Sequence, residues 1–532
     1  MANYNDNQAR LSTATTINGA DQWESTAQSS SFTKTSSFSY TSSSGNGNEE
    51  QPASPQRRYG DTIPPSHPNR TLVLCFDGTG DQFDADNSNI VELFAMLKKD
   101  DPDKQLVYYQ AGIGTYTTPQ IATPLMAKFS QKLDMAVAWN LDAHIMGGYE
   151  FLMQNYRAGD KICIFGFSRG AYTARCLAGM VHKVGLLPAC NHQQVPFAYK
   201  MYSKMDDEGW KQSNGFKKTF SIDVNIEFLG VWDTVCSVGL IPRHMPFTTS
   251  NTVVKTFRHA VSLDERRAKF KANLWNRPNA VEENLSISDK QKKKKKEGIA
   301  KAKKGAIKKL ENKYGDKEDF ETDIDEVWFA GCHCDIGGGS VGNGVNPSLA
   351  RIPFRWMIRE CFKTNSGIMF HVDGLRRAGL NPDSLYPYVT PRPPALSAGS
   401  IGQTMYIRDT PRTPEVPPPE EENLLPTEEM LETEEEAELK DALSPIYDQL
   451  SLAWFWWILE LLPMKQKFQK GDNSWSAYFG WNLGRGRFIP KQKSRGVRVH
   501  RSVKIRMEAE HLNGKKYEPK ANLKLENVTW VD

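Results

Sequence analysis

The stretch Lys161 to Arg175, KICIFGFSRGAYTAR, constrains this chain more than any other. The apolar run Ile162-Cys163-Ile164-Phe165 has the length of a buried strand. It passes into Gly166-Phe167-Ser168-Arg169-Gly170 and then a helix-like segment from Ala171 to Met180. Strand, G-x-S-x-G and helix is the setting in which a serine is lifted onto a sharp turn as a nucleophile. Gly166 and Gly170 remove the Cβ atoms that would collide with strand and helix. Ser168 then stands above the helix N-terminus, where the backbone N–H of Arg169 can help hold a developing oxyanion. By composition alone G-x-S-x-G arises in roughly one chain in five of this length. The plainer alternative is a βα turn in which Ser168 only caps the helix. Partners elsewhere in the chain decide between the two.

Upstream, Thr71 to Phe76 (TLVLCF) is a short apolar run bounded by Asp77-Gly78-Thr79-Gly80, which predicts a buried parallel strand ending in a loop. A phosphatase of the Asp-x-Asp-Gly-Thr kind would need an aspartate where Cys75 stands, and a dinucleotide fingerprint would need a third glycine. In a serine hydrolase the loop after an early strand supplies the second oxyanion N–H. Gly78 or Thr79 fits that role, with a plain tight turn as the alternative. Helical patterns over Ile90 to Lys99 and Asp134 to Tyr156, with a strand at Lys104 to Gln110 between them, complete the alternation. The expected fold is α/β, a doubly wound and mostly parallel sheet.

Downstream, Asn225 to Trp232 reads as a strand ending at Asp233, where a carboxylate that orients a catalytic base belongs; an N-cap or turn aspartate is the alternative. Glu326 to Ala330 reads as the last sheet strand and is followed by Gly331-Cys332-His333-Cys334-Asp335-Ile336-Gly337. A histidine on such a loop is placed to act as general base. The order Ser168, Asp233, His333 is that of α/β hydrolases, with Asp335 as an alternative acid. Between them, Phe257 to Lys271 (FRHAVSLDERRAKFK) reads as a charged amphipathic helix, with Asp264, Arg266 and Arg267 either lining the site or forming surface pairs. No C-x-x-C partner accompanies Cys332 and Cys334, so no metal is expected, and the chemistry needs no cofactor.

FDGTG at 76–80, GIGT at 112–115, GFSRGAYTAR at 166–175, GVWDTV at 230–235, RHAVSLDERR at 258–267 and VWFAGCHCDIGGG at 327–339 occur in one order. Together they resemble the α/β-hydrolase domain shared by uncharacterised fungal proteins and bacterial type VI secretion phospholipase effectors. The likeness covers roughly residues 70 to 370. It implies a serine hydrolase with Ser168 as nucleophile, His333 as base and Asp233 as acid. In the bacterial members it also implies action on glycerophospholipid esters. The cysteines beside His333 and the lysine insertion depart from the bacterial pattern.

Apolar content is 39%, below the roughly 45–50% usual for a globular chain, so part of the sequence is expected to stay unpacked. Residues 1–69, rich in Ser, Thr, Asn and Gln, read as a disordered tail, and 70–390 as the catalytic domain with a Lys-rich insertion at about 285–318. A solvated Pro/Glu-rich linker is expected over 391–445, and an aromatic helix with a basic segment over 446–532, packing on or beside the core.

The net charge of +4 conceals this segregation and points to no nucleic-acid partner. Trp454, Trp456 and Trp457, with the basic residues of 485–506, fit a peripheral contact with an anionic lipid surface, or a lid, or a helix packed on the core. Within that segment VRVHRSVKIR reads as a strand with one buried face. Eight cysteines without disulfide spacing, and an N-terminus without a secretory signal, predict an intracellular, cytoplasmic setting. The lysine run leaves nuclear entry or membrane association compatible with it. The rival to the ester-hydrolase reading is a non-catalytic, hydrolase-like adaptor that recruits partners or membranes through its charged tails. Convergence of the three side chains separates the two.

Overall fold

In the computed structural model the described residues are 60–112, 126–235, 245–248, 253–275, 320–400, 404–409, 432–469, 475–490 and 492–532. The N-terminal tail to residue 59, the Lys-rich insertion, the GIGT motif after Gly112 and residues 401–403 and 410–431 of the expected linker lie outside them.

Eight strands form one sheet: β1 (Thr71–Phe76), β2 (Gln105–Gln110), β3 (Lys161–Phe167), β4 (Ile226–Trp232), β5 (Val254–Ser262), β6 (Asp323–Phe329), β7 (Val497–His500) and β8 (Val528–Val531). Their spatial order is β2-β1-β3-β4-β5-β6-β7-β8, and every pairing is parallel. An all-parallel sheet must be covered on both faces, which is why its strands are unbroken apolar runs. Leu72, Leu74, Ile162 and Ile164 pack with α2 (Met126–Asn155) and α3 (Ser168–Val184) on one face. The alternate residues Val73, Cys75, Cys163 and Phe165 pack on the other face, where α1 (Asn89–Met96) lies. Each fully buried Val, Leu, Ile or Phe among them contributes about 1.5–3 kcal/mol.

Strand order reverses about β1, which has β2 on one side and β3 on the other. The crevice beyond the carboxyl ends of strands at such a switch point is where open α/β sheets place their sites. The loops after β1 and β3, Asp77-Gly78 and Ser168, both emerge there.

Three local readings are corrected. Phe257 to Lys271 is not a helix: its first residues complete β5, paired along its length with β4 and β6, and an irregular loop follows. In the strand, Arg258 is paired with Asp323 of β6 and with Glu360 of the helix Arg351–Lys363, and His259 with Glu326 of β6. Strand character in VRVHRSVKIR stops at His500, whose side chain accepts the Ser502 N–H and starts a helix, Arg501–Glu508. Nor is β6 the last strand, since β7 and β8 extend the sheet from the C-terminal segment.

The acidic end of the expected linker is folded as well. Helix Glu434–Ala442 buries Glu434, Glu438 and Asp441 in ion pairs with Arg359, Arg501 and Arg355. Among the described residues no helix is long and apolar enough to cross a membrane.

Candidate active site

Chain direction reverses sharply where β3 meets α3. Ser168 opens the helix with φ of +58°, a left-handed conformation that a non-glycine residue adopts only where its surroundings impose it. A Cβ on Gly170 would lie 2.3 Å from the carbonyl oxygens of Phe76 and Asp77, and one on Gly166 would lie 2.6 Å from Ala171 Cα. The first turn of α3 therefore rests directly on the end of β1, and only glycine permits that approach.

Ser168 Oγ lies 2.8 Å from His333 Nε2, and His333 Nδ1 lies 2.6 Å from Asp233 Oδ2. His333 begins a one-turn helix after β6, and Asp233 follows β4 with φ of +38°. The imidazole lies between the tilted ring of Phe167 and the edge-on ring of Phe270, with centroids 4.8 and 4.9 Å away. All three polar side chains are buried: Ser168 is 4% exposed, His333 3% and Asp233 0%. An ionised carboxylate only accepts, so Nδ1 carries the imidazole proton and Nε2 is left to accept from the serine hydroxyl.

Asp233 has two further partners. The Ser262 N–H donates to Oδ1 at 2.9 Å, and Arg487 grips both carboxylate oxygens, Nη1 to Oδ1 and Nη2 to Oδ2 at 2.8 Å. Burial pushes the Asp233 carboxyl up, but the Arg487 and His333 charges outweigh it and hold the group well below the usual carboxylate range. Burial lowers His333 from its ordinary value, with Arg267 adding to that effect; Asp233 and Glu265 pull the other way. Glu265 accepts the His333 backbone N–H at 3.3 Å and is paired with Arg267 at 2.7 Å.

The structure thus brings Ser168, His333 and Asp233 into one hydrogen-bonded row, with Arg169 next to Ser168 at the start of α3. The other expected residues are placed differently. The Gly78 N–H is already donated to Asp77 Oδ1 at 2.8 Å, while Thr79 lies exposed on the same loop. Asp335 accepts from the N–H groups of Cys332 and Tyr447 and from Ser340 Oγ, so it shapes the loop after β6 rather than orienting the histidine.

Of the tryptophans, Trp454 is 77% exposed, Trp457 donates to the Leu450 carbonyl, and Trp456 stands on Phe270 at 5.7 Å. Part of the basic face expected over 485–506 is consumed internally. Arg487 and Arg506 are buried, Arg498 pairs with Asp325, and Arg501 pairs with Glu438. Sequence reasoning missed Arg487 and Glu265 at the site, and no local pattern marks an arginine that pairs with a residue 254 positions away.

A cavity of about 680 Å³ lies elsewhere, lined by Glu92, Arg351, Arg376 and Arg377 among others; Ser168, His333 and Asp233 do not line it. Among the described residues no group of three His, Cys, Asp or Glu is placed to hold a metal ion.

An uncharacterised protein of Saccharomyces cerevisiae is 28% identical over 553 aligned residues, covering 84% of this chain and 80% of the relative. A crystal structure of an uncharacterized protein from Pseudomonas aeruginosa aligns with a TM-score of 0.32 at 17% identity, over 60% of this chain and 49% of that one. The Tle1 effector bound to the VgrG spike from the type 6 secretion system aligns with a TM-score of 0.27 at 17% identity, over 52% of each chain. The chain therefore spans about half the length of these two solved structures. Residues 70–360, more than half of the chain, match the family described as "T6SS, Phospholipase effector Tle1-like, catalytic domain", and the chain belongs to that family of lipase-like hydrolase domains.

Proposed function

We propose that the chain is a serine hydrolase that cleaves acyl esters of glycerophospholipids through an acyl-enzyme. The observation that carries this reading is the unbroken row from Ser168 Oγ through the His333 ring to Asp233. His333 Nε2 takes the hydroxyl proton as Ser168 Oγ attacks the ester carbonyl, and Asp233 holds the imidazolium that forms. The oxyanion is received by the Arg169 N–H at the α3 N-terminus, with a second donor from the 78–79 loop. Of these two, Thr79 is the better placed donor, because Gly78 spends its N–H on Asp77. The tetrahedral adduct collapses, His333 Nε2 gives its proton to the departing alkoxide, and water activated at the same nitrogen releases the acid.

Family membership supports a lipid ester as substrate. So does the surface beside the site: Trp454, Phe455, Leu461, Phe479 and Trp481 are each more than half exposed. Apolar groups of that size on a surface suit contact with a bilayer rather than with water.

Labelling with a fluorophosphonate probe, followed by hydrolysis of phospholipid vesicles, tests the reading. Wild type should label and hydrolyse, and folded Ser168→Ala and His333→Ala should do neither. Folded wild type that neither labels nor hydrolyses would overturn it.

A further inference from the structure

We propose that Arg487 is a positioning residue of this centre: its fork fixes the Asp233 carboxylate and, by sharing Oδ2 with His333, keeps the imidazole neutral and ready to act as base. The proposal rests on the hydrolase reading above and adds to the three expected side chains one supplied by the C-terminal segment.

The geometry is that of a dedicated clamp. Arg487 is 3% exposed, and its donors are spent on the two Asp233 oxygens and on the carbonyls of Ser262 and Phe270. Oδ2 receives two donors, Arg487 Nη2 at 2.8 Å and His333 Nδ1 at 2.6 Å. A bidentate guanidinium–carboxylate pair fixes the carboxylate plane, and the plane fixes where the imidazole sits. The Phe270 carbonyl that Arg487 holds belongs to the residue whose ring packs on His333. One side chain thus locks both the acid and one wall of the base.

Charge balance gives the second effect. His333 is faced by Asp233 from the end of β4, and by Glu265 and Arg267 from the loop after β5, with Arg487 behind Asp233. On its own helix the Cys332 and Cys334 thiols are pushed up by burial and stay neutral, and Asp335 is committed to backbone N–H groups. Lys271 is held on Asn482 Oδ1 and the Arg485 carbonyl, with Glu460 as a nearby counter-charge. Two carboxylates therefore meet two guanidiniums around the imidazole. A proton on His333 adds an unbalanced positive charge, whereas without Arg487 the same proton would neutralise an unbalanced negative one.

The arginine also makes the centre depend on a distant part of the chain. Its segment is held by the Asn522 N–H on the Arg487 carbonyl and by the close approach of Gly486, where a Cβ would lie 1.8 Å from the Lys520 carbonyl oxygen. Asn482 and Gly484 of that segment donate to Glu460 of the aromatic helix Trp456–Leu461. The same stretch that presents exposed aromatics thus delivers the clamp.

The test is the pH profile of fluorophosphonate labelling of the full chain, from about pH 4.5 to about pH 9, for wild type, Arg487→Lys and Arg487→Met. Ser168→Ala serves as the control, and melting curves establish folding. Wild type should lose labelling only below the ordinary histidine value of about 6.5. In Arg487→Met the acid limb should move up by about one pH unit or more, and the plateau rate should fall at least about tenfold. Arg487→Lys, which keeps the charge but loses the fork, should hold the low limb with a reduced plateau.

A folded Arg487→Met whose limb stays with wild type would overturn the proposal, because a merely structural arginine lowers the plateau without moving the limb. Should Arg487→Met not fold, wild type and Arg487→Lys decide. Low limbs in both with a reduced lysine plateau support the proposal, and a wild-type limb at or above about 6.5 overturns it. Wild type that labels no better than Ser168→Ala at any pH refutes the hydrolase reading itself, an outcome distinct from all of these.

Discussion

Trp456 stands edge-on to Phe270, with ring centroids 5.7 Å apart and planes at 84°, and Phe270 stands edge-on to His333 at 4.9 Å. The Arg267 guanidinium packs on both aromatic rings, 3.5 Å from the Phe270 centroid and 4.8 Å from that of Trp456. These contacts form a roof joining the aromatic C-terminal helix to the base. Beneath the helix, Glu460 is 1% exposed and accepts from the Ala268 N–H and the Asn482 amide, so the roof is pinned at its far end.

Removing the middle of that roof should open the site. Trp456→Ala is expected to raise the rate at which a small fluorophosphonate labels Ser168 several-fold, because the serine is only 4% exposed beneath its neighbours. The gain should come with a modest loss of thermal stability, as part of an aromatic surface is returned to water. Labelling rates of the folded variant and wild type at pH 8 give the comparison, and an equal rate would deny the tryptophan a covering role.

The two aspartates near His333 should separate cleanly. Asp233→Asn is expected to lower turnover about 10⁴-fold, because the amide cannot stabilise the imidazolium and favours the wrong tautomer. It also strips Arg487 of its counter-charge, a buried loss of about 3–5 kcal/mol, so its melting temperature should fall as well. Asp335→Asn should leave turnover within a few-fold of wild type, since that carboxyl bonds to Cys332, Tyr447 and Ser340 instead. Steady-state hydrolysis of one soluble ester by both variants decides which acid serves the base.

What the chain disclosed about itself follows from which interactions are local. The elbow is local: Gly166, Ser168 and Gly170 sit within five residues, and the turn they enforce is visible in the letters. Asp233 and His333 stood out in the letters because each follows an apolar run that reads as a buried strand, although the same letters left Asp335 as an alternative acid. Residues 257–271 misled because charges at Arg258, Asp264, Arg266 and Arg267 suggest a solvated helix face. In the fold only Arg258 lies in the strand, where Glu360 and Asp323 answer its charge, and the other three belong to the loop after β5. Arg487 was illegible for the same reason, since its partner is set by tertiary packing and its neighbourhood reads as one basic run among others.

Asp335 should leave a signature in stability rather than turnover. Burial pushes its carboxyl up to about 7, against hydrogen bonds that pull it down. Oδ2 takes both backbone donors, which leaves Oδ1, 3.1 Å from Ser340 Oγ, as the oxygen to be protonated, with the serine hydroxyl turning from donor to acceptor. The folded chain therefore holds this proton where the unfolded chain has released it. The stabilising contribution is fully present below the unfolded value of about 3.9 and is lost as pH rises from there through about 7. Asparagine imitates the protonated acid at every pH, so the fall in melting temperature between pH 5 and pH 7.5 should be shallower in Asp335→Asn than in wild type. Parallel falls would place the ionisation elsewhere.

With a lipid ester as substrate, membrane contact should be apolar more than electrostatic. Trp454 and Phe479 are 77% and 75% exposed, whereas the arginines at 487, 498, 501 and 506 are buried or paired within the fold. Seating an exposed aromatic ring in the interfacial region is worth on the order of 1–2 kcal/mol, or roughly tenfold in binding per residue. Trp454→Ser with Phe479→Ser should therefore weaken co-sedimentation with mixed zwitterionic and anionic vesicles by one to two orders of magnitude. Hydrolysis of a soluble short-chain ester should be unchanged, because neither ring touches His333 or Ser168. Raising salt should weaken wild-type binding far less than the double substitution does, since exposed charge pairs are screened while apolar burial is not. Binding abolished by salt and indifferent to the two aromatics would transfer the role to basic groups instead.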